Sequence, residues 1–260
     1  MTVGAPSDQV RFAQILKSLP AGAGIHFLGI CGTAMASLAG ILQQKGFRIT
    51  GSDSHPYPPM STQIESLGIR LFPGYEAANL KEAKPDFVIV GNVISAPNVE
   101  VQEVLRLGLP YTSLPKALGE FVIEDRVSLV VSGTHGKTTT TSLLTWLCEV
   151  AGLKPGFLIG GVPLNFPHSF SSPRGKHFVI EGDEYDTAFF DKVPKFIHYR
   201  PTHAILTSVE FDHADIFESL EQIELEFTQF LDKVPAAGTI LLWDGITALK
   251  DYRAQNQNSA

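Results

Sequence analysis

Several residue classes are scarce in this chain, and each scarcity excludes something. Only two cysteines, Cys31 and Cys148, occur in 260 residues. That is too few for a disulfide framework, and a reducing compartment suits them. Both are expected to be unreactive thiols, with Cys148 on the inner face of a helix. No apolar run approaches the ~20 residues that span a bilayer. The opening MTVGAPSDQVRFAQILKSLP has no export-signal core; Val10, Phe12, Ile15, Leu16 and Leu19 are spaced as a short amphipathic helix. The expectation is a cytoplasmic protein with no membrane partner. Excess positive charge is also missing. The formal net charge is −7, so no nucleic-acid partner is expected, and an anionic ligand must be held by a local device. Trp146, Trp243 and most of the 17 phenylalanines are expected in the core, since nothing marks an aromatic nucleic-acid platform.

What is present is an alternation of strands and helices. GIHFLG (24–29), FRIT (47–50) and FVIVGN (87–92) read as buried strands. AMASLAGILQQKG (34–46), PMSTQIESLG (59–68) and NVEVQEVLRLG (98–108) read as helices. This is the rhythm of a parallel sheet covered on both faces. LPKALGEFVIEDR (114–126) bridges to a second round. VSLVVS (127–132), HFVIEGDEYD (177–186), HAILTSVEFDHAD (203–215) and GTILLWDG (238–245) are strands running into polar ends, with helices at 137–152 and 219–234.

The stretch VVSGTHGKTTTT (130–141) places a glycine-rich turn between a strand and a helix. Backbone N–H groups in such a turn, with the helix N-terminus behind them, suit a phosphate chain. Gly133, Thr134, His135, Gly136, Lys137, Thr138 and Thr139 are the candidate ATP-binding residues. Lys137 is expected at the β- and γ-phosphates and the Thr138 hydroxyl on Mg²⁺. Val131 stands where the general phosphate-loop pattern has glycine, so the loop is a compact G-T-x-G-K-T form. The bland alternative is a tight turn with a solvated lysine. On either reading Lys137 is expected to be exposed and to add little to stability. The threonine hydroxyls are expected to serve orphan N–H groups at the helix start.

Two acidic clusters end strands on the side where ligands of parallel sheets collect. They are Glu181, Asp183, Glu184 and Asp186, and then Glu210, Asp212, His213 and Asp215. Glu181, the first polar residue after its strand, is the leading Mg²⁺ ligand. The other acids read as loop caps or substrate contacts, and His213 alone reads equally as a turn histidine.

GICGTAM (29–35) opens the first helix. Against G-x-G-x-x-G, Cys31 and Ala34 replace the second and third glycines, and Asp53 closes the second strand. A dinucleotide, another nucleoside diphosphate and a plain tight turn all remain open. A nicotinamide oxidoreductase follows from this loop alone, but such an enzyme needs no GKT.

Together GTHGKTTTT, VIEGDEYD and SVEFDHAD resemble the Mur ligases, the ATP-dependent amide ligases of the peptidoglycan stem peptide. GICGTAM with GSD is similar to the UDP-binding domain of the muramate-binding branch. YPPMSTQIESLGI, KPGFLIGGVPLNF, AFFDKVPKFIHYRP and EFDHADIF are closer to the tripeptide-accepting recycling branch than to the L-alanine-adding one. The resemblance spans Gly24 to about Lys250. It implies an α/β fold with a Rossmann-like parallel-sheet domain over 24–124, after an extension over 1–23. A partial phosphate-loop central domain would follow over 125–260. The family's C-terminal domain is not expected here, so the chain is expected to be a fragment or truncated homologue, inactive as a ligase.

The implied chemistry joins UDP-N-acetylmuramate to L-alanyl-γ-D-glutamyl-meso-diaminopimelate, or to L-alanine, through an acyl phosphate made from ATP. Lys137, Glu181 and His213 would be catalytic, and Thr138, Glu181 and His213 would hold metal. Gly29, Ile30, Cys31, Gly32, Thr33, Ala34, Met35 and Asp53 would hold the UDP substrate. Ser208 stands where the family usually has Asn. A UDP-sugar-binding module without catalysis is the other reading.

Overall fold

The structure is a computed structural model that describes residue 12, residues 14–184, 186–211 and 219–246, and residue 249. The chain forms two compact units. The first is residues 1–122 with 186–192, and the second is residues 123–185 with 193–260.

In the first unit the elements run β1 (Gly24–Leu28), α1 (Thr33–Gln44), β2 (Arg48–Asp53), α2 (Met60–Ser66), β3 (Arg70–Pro73), α3 (Ala77–Ala83), β4 (Phe87–Val90), α4 (Val99–Leu107), β5 (Tyr111–Ser113) and α5 (Leu114–Leu118). The sheet order is β3-β2-β1-β4-β5, and every pairing is parallel. β1 lies in the middle, so all five of its residues are buried. That is why GIHFL is almost wholly apolar. α4 shows its boundaries plainly. The Asn98 side chain accepts from the N–H groups of Glu100 and Val101, and Gly108 ends the helix with φ 64°.

The second unit runs β6 (Val127–Ser132), α6 (Lys137–Val150), β7 (Gly156–Leu158), β8 (Phe170–Ser171), β9 (His177–Gly182), β10 (Asp186–Ala188), β11 (Asp191–Pro194), β12 (His203–Leu206), α7 (Leu220–Leu231) and β13 (Thr239–Leu242). Its sheet order is β13-β12-β6-β9-β7-β8. All pairs are parallel except β7 with β8. β10 and β11 pair separately, and residues 186–192 of this hairpin belong to the first unit. There Phe190 meets Tyr111 edge-on at 5.1 Å.

Three expectations change. Trp146 is 40% exposed and Trp243 59%, so neither is a core residue. Trp146 lies on the outer face of α6 and touches Phe166 edge-on. Trp243 follows the last strand at the sheet edge. The threonine run also behaves differently. Within the run, the Thr138 hydroxyl donates to Glu181 and the Thr141 hydroxyl to the Lys137 carbonyl four residues back, so both donate to acceptors and neither serves an N–H group. Cys31 and Cys148 are buried free thiols as expected. Burial and the Asp53 charge push the Cys31 thiol up to about 11, and burial raises Cys148. Among the described residues no helix is long and apolar enough to cross a membrane.

Candidate functional site

In the second unit, β6 delivers the chain into the loop 133–136. Gly133 takes φ 133° and Gly136 φ 81°. Gly136 precedes α6 and gives it no side-chain cap, so the helix start is left to backbone groups. The neighbouring strand grips the loop. Ser208 O accepts from Thr134 N at 3.1 Å, and Ser208 Oγ accepts from His135 N at 2.8 Å. The Ser208 and Thr134 hydroxyls lie 2.9 Å apart. Thr207 Oγ1 donates to His135 O at 2.5 Å. Ser208 is therefore a buried clamp on the loop's own backbone.

Lys137 is not solvated. Its side chain is 14% exposed, and Nζ lies 3.2 Å from Oε2 of Glu184, whose side chain is 1% exposed. The same ammonium donates to Gly133 O at 2.6 Å. It thus rests against the loop carbonyls and a buried carboxylate, and the expectation of an exposed lysine without structural weight is corrected. Glu184 lies 47 residues further along, and only the parallel pairing of β6 with β9 brings the two together.

Glu181 reaches the loop from the end of β9. Its Oε2 accepts from Thr138 Oγ1 at 2.9 Å and its Oε1 from Gly160 N at 2.5 Å. Burial lifts the Glu181 carboxyl above the usual range, and the bonds from Gly160 and Thr138 only partly offset this. Two hard oxygens side by side suit Mg²⁺, which takes one or two protein ligands and otherwise water and phosphate. The remaining described acids disperse. Asp183 pairs with Lys195 at 3.1 Å, Glu184 pairs with Lys137, and Glu210 lies 3.7 Å from His135 Nε2. Among the described residues no group of three or more His, Cys, Asp or Glu comes together. His213, Asp212 and Asp215 lie outside the described residues, as does the Asp186 side chain.

A cleft of about 530 Å³ adjoins the loop, lined by His135, Gly136, Thr140, Thr207, Ser208 and Trp243 among others. Gly160, Thr207 and Trp243 are site residues that sequence reasoning missed. The Gly160–Gly161 pair after a strand was the one visible signal; an exposed tryptophan at a sheet edge left none.

In the first unit, the loop after β1 turns through Gly29 at φ 82°. Gly29 N and Ile30 N donate to Ser52 O at 2.8 and 3.1 Å. Cys31 N donates to Asp53 Oδ2 at 2.9 Å, so Asp53 does reach the glycine loop. Gly32 caps α1 with φ −63° and ψ 139° and contributes no side chain. Thr33 and Ala34 open the helix; Ile30 in the loop and Met35 in the first helical turn are buried. Tyr75 stands beside the loop; a Cβ on Gly29 would lie 3.7 Å from its hydroxyl. Burial first, and then Asp53, push that hydroxyl's pKa up to about 12. Both loops follow a strand that has later strands of the chain on either side of it, the place where ligands of parallel sheets bind.

A model of the Mur ligase family, catalytic domain, matches residues 24–126, and one of the Mur ligase middle domain matches residues 131–260. The chain is 52% identical over 230 residues to the UDP-N-acetylmuramate–L-alanyl-γ-D-glutamyl-meso-2,6-diaminoheptandioate ligase of Escherichia coli. That match covers 88% of this chain and 50% of the relative. It is 37% identical to the UDP-N-acetylmuramate–L-alanine ligase of Paenarthrobacter aurescens, over 88% of this chain and 49% of that one. Among solved structures, the UDP-N-acetylmuramate:L-alanyl-γ-D-glutamyl-meso-diaminopimelate ligase from Neisseria meningitides matches with a TM-score of 0.85 and 48% identity. It covers 90% of this chain and 75% of that one. The chain spans about half the length of the curated relatives it matches.

Proposed function

Since the chain belongs to the Mur ligase family, we propose that it carries the two nucleotide sites of an ATP-dependent ligase. The ligase would join UDP-N-acetylmuramate to L-alanyl-γ-D-glutamyl-meso-diaminopimelate. The lactyl carboxylate would attack the γ-phosphorus of ATP and release ADP. The tripeptide amine would then attack the acyl carbon, lose a proton and expel phosphate. Loop residues 133–139 would cradle the phosphates, and Lys137 would leave Glu184 and the loop carbonyls to meet the charge that develops in transfer. Thr138 and Glu181 would hold Mg²⁺, which offsets phosphate charge when bound. His213 remains a proposed second metal contact. Residues 29–35 and Asp53 would hold the UDP group.

The observation that carries this reading is the meeting of Lys137, Thr138 and Glu181 at one helix start, supplied by two neighbouring parallel strands. The tripeptide acceptor is favoured over L-alanine by the higher identity, 52% against 37%. The test is product analysis by mass spectrometry with ATP, Mg²⁺, UDP-N-acetylmuramate and either amine, run on the protein at its full natural length. Amide formation with L-alanine and none with the tripeptide would replace this acceptor assignment with the second reading.

Two variants separate binding from folding. Gly32→Asp places a carboxylate at a helix cap where a Cβ meets only ordinary contacts, 3.6 Å from Gly29 O and Met35 Cγ. An aspartate there suits the helix but repels an anion. Calorimetry should find UDP-N-acetylmuramate binding weakened at least about tenfold, with the melting temperature unchanged or higher. Native-strength binding by the folded variant would remove the assignment.

Glu181→Gln tests the metal pair. The native state holds the Glu181 proton to higher pH than the unfolded state does. Its contribution to stability therefore falls as pH rises from the ordinary carboxylate value through the raised one. The glutamine variant should lose that fall in melts run between about pH 4 and 8, and should be no less stable than native at neutral pH. Its binding of ATP should depend less on Mg²⁺ than that of the native chain. A large loss of stability at neutral pH would mean that Glu181 serves the fold.

A further inference from the structure

Glu100 is fully buried in the first unit, and the proposed chemistry gives it no part. A buried carboxylate is costly unless it is well bonded, so its partners carry the information. Oε2 accepts from Ser52 Oγ at 2.5 Å. Oε1 accepts from Asn79 Nδ2 at 2.6 Å and from Glu76 N at 3.1 Å. His26 Nε2 lies 3.6 Å from Oε2, and its other ring nitrogen is 2.8 Å from Thr50 Oγ1. Glu100 itself sits in the first turn of α4, where the helix start favours negative charge.

Ser52 and Glu76 lie in two segments that border the glycine loop, and Asn79 ties in the second by also donating to Gly74 O at 3.1 Å. Ser52 accepts both Gly29 N and Ile30 N through its carbonyl, and it precedes Asp53, which holds Cys31 N. Glu76 follows Tyr75, whose hydroxyl stands over Gly29. One carboxylate therefore ties the strand end that shapes the loop to the segment that carries its aromatic neighbour. We propose that Glu100 is a positioning residue for the site after β1, holding residues 52–53 and 74–76 in the arrangement that admits a nucleoside diphosphate. It does not itself touch the ligand. The inference rests on the reading of that loop as the UDP site.

A residue that merely filled the core would not single out this loop. The test uses Glu100→Ala, Glu100→Gln and Ser52→Ala in the 260-residue chain, with UDP-N-acetylmuramate as the probe in calorimetry and amide hydrogen exchange without ligand. Glu100→Ala should bind about tenfold or more weaker and should speed exchange at residues 29–33. Glu100→Gln keeps an acceptor for the Oε1 partners and an amide for Ser52, so it should restore most of the affinity. Should Glu100→Ala fail to fold, Ser52→Ala removes only the strand arm and should weaken binding with the fold kept. Native affinity and native loop exchange in a folded Glu100→Ala or Ser52→Ala variant overturn the proposal. If the native chain does not bind the probe, the UDP reading falls and takes the ligand assignment with it. Faster loop exchange in the variants would then still support the positioning role, and unchanged exchange would overturn it.

Discussion

Lys137→Ala is expected to weaken ATP binding about a hundredfold and to lower the melting temperature. The first effect follows from removing the cation of the phosphate loop. Affinity for ATP–Mg²⁺ should fall about a hundredfold, the scale of a lost charge-assisted contact in a shielded site. The second follows from Glu184. Its side chain is 1% exposed and lies 3.2 Å from the ammonium. Taking one partner from a buried ion pair costs about 3–5 kcal/mol. The lysine is itself 14% exposed, which puts the expectation at the low end. At roughly 2–4 °C per kcal/mol for chains of this size, that is a fall of about 6–12 °C. Lys137→Ala with Glu184→Gln should recover part of the stability and none of the binding. Differential scanning calorimetry of the single and double variants checks both halves. A single variant as stable as the native chain would show that the pair adds nothing to the fold.

Gly133→Ala should be nearly as severe, for a geometric reason. The residue sits at φ 133°, which side-chain-bearing residues rarely adopt. A Cβ there would stand 2.8 Å from Ser208 N and 2.9 Å from Ser208 O, and against Thr207 Oγ1 as well. Two of these are backbone atoms of the adjoining strand end and cannot swing aside. Overpacking costs about 1–3 kcal/mol, and the strained backbone adds ~1–3 kcal/mol. The movement should open the clamp that Ser208 makes on Thr134 and His135, so ATP binding should fall more than about tenfold. Gly161→Ala is the comparison, because its Cβ meets only Thr138 Cγ2 at 3.8 Å. It should bind as native. Equal behaviour of the two variants would mean that loop shape does not control the site.

The α/β alternation and both loops were legible in the sequence because the signals are local. Asn98 and Gly108 bracket α4 as a cap and a stop should. GTHG sits between an apolar run and a helix, and Asp53 closes a strand beside the glycine loop. What was not legible depends on pairing across the sheet. β3 is a four-residue edge strand with one buried residue, so its pattern is too short to read. Lys137 looked exposed because its partner is 47 residues away. Ser208 looked like a departure from the family's asparagine; its work as a loop clamp appears only when β12 is placed beside β6. Trp243 looked like core because tryptophan usually is, yet β13 lies at the edge of its sheet and Trp243 lines the cleft beside the loop.

The most direct measurement is a pair of calorimetric titrations of the 260-residue chain, one with ATP–Mg²⁺ and one with UDP-N-acetylmuramate, repeated on Lys137→Ala and Gly32→Asp. Two separate nucleotide sites predict that the native chain binds both ligands. Lys137→Ala should lose ATP and keep UDP-N-acetylmuramate, and Gly32→Asp should show the reverse. Loss of both ligands in either folded variant, or of neither, would contradict the assignment of one nucleotide to each loop.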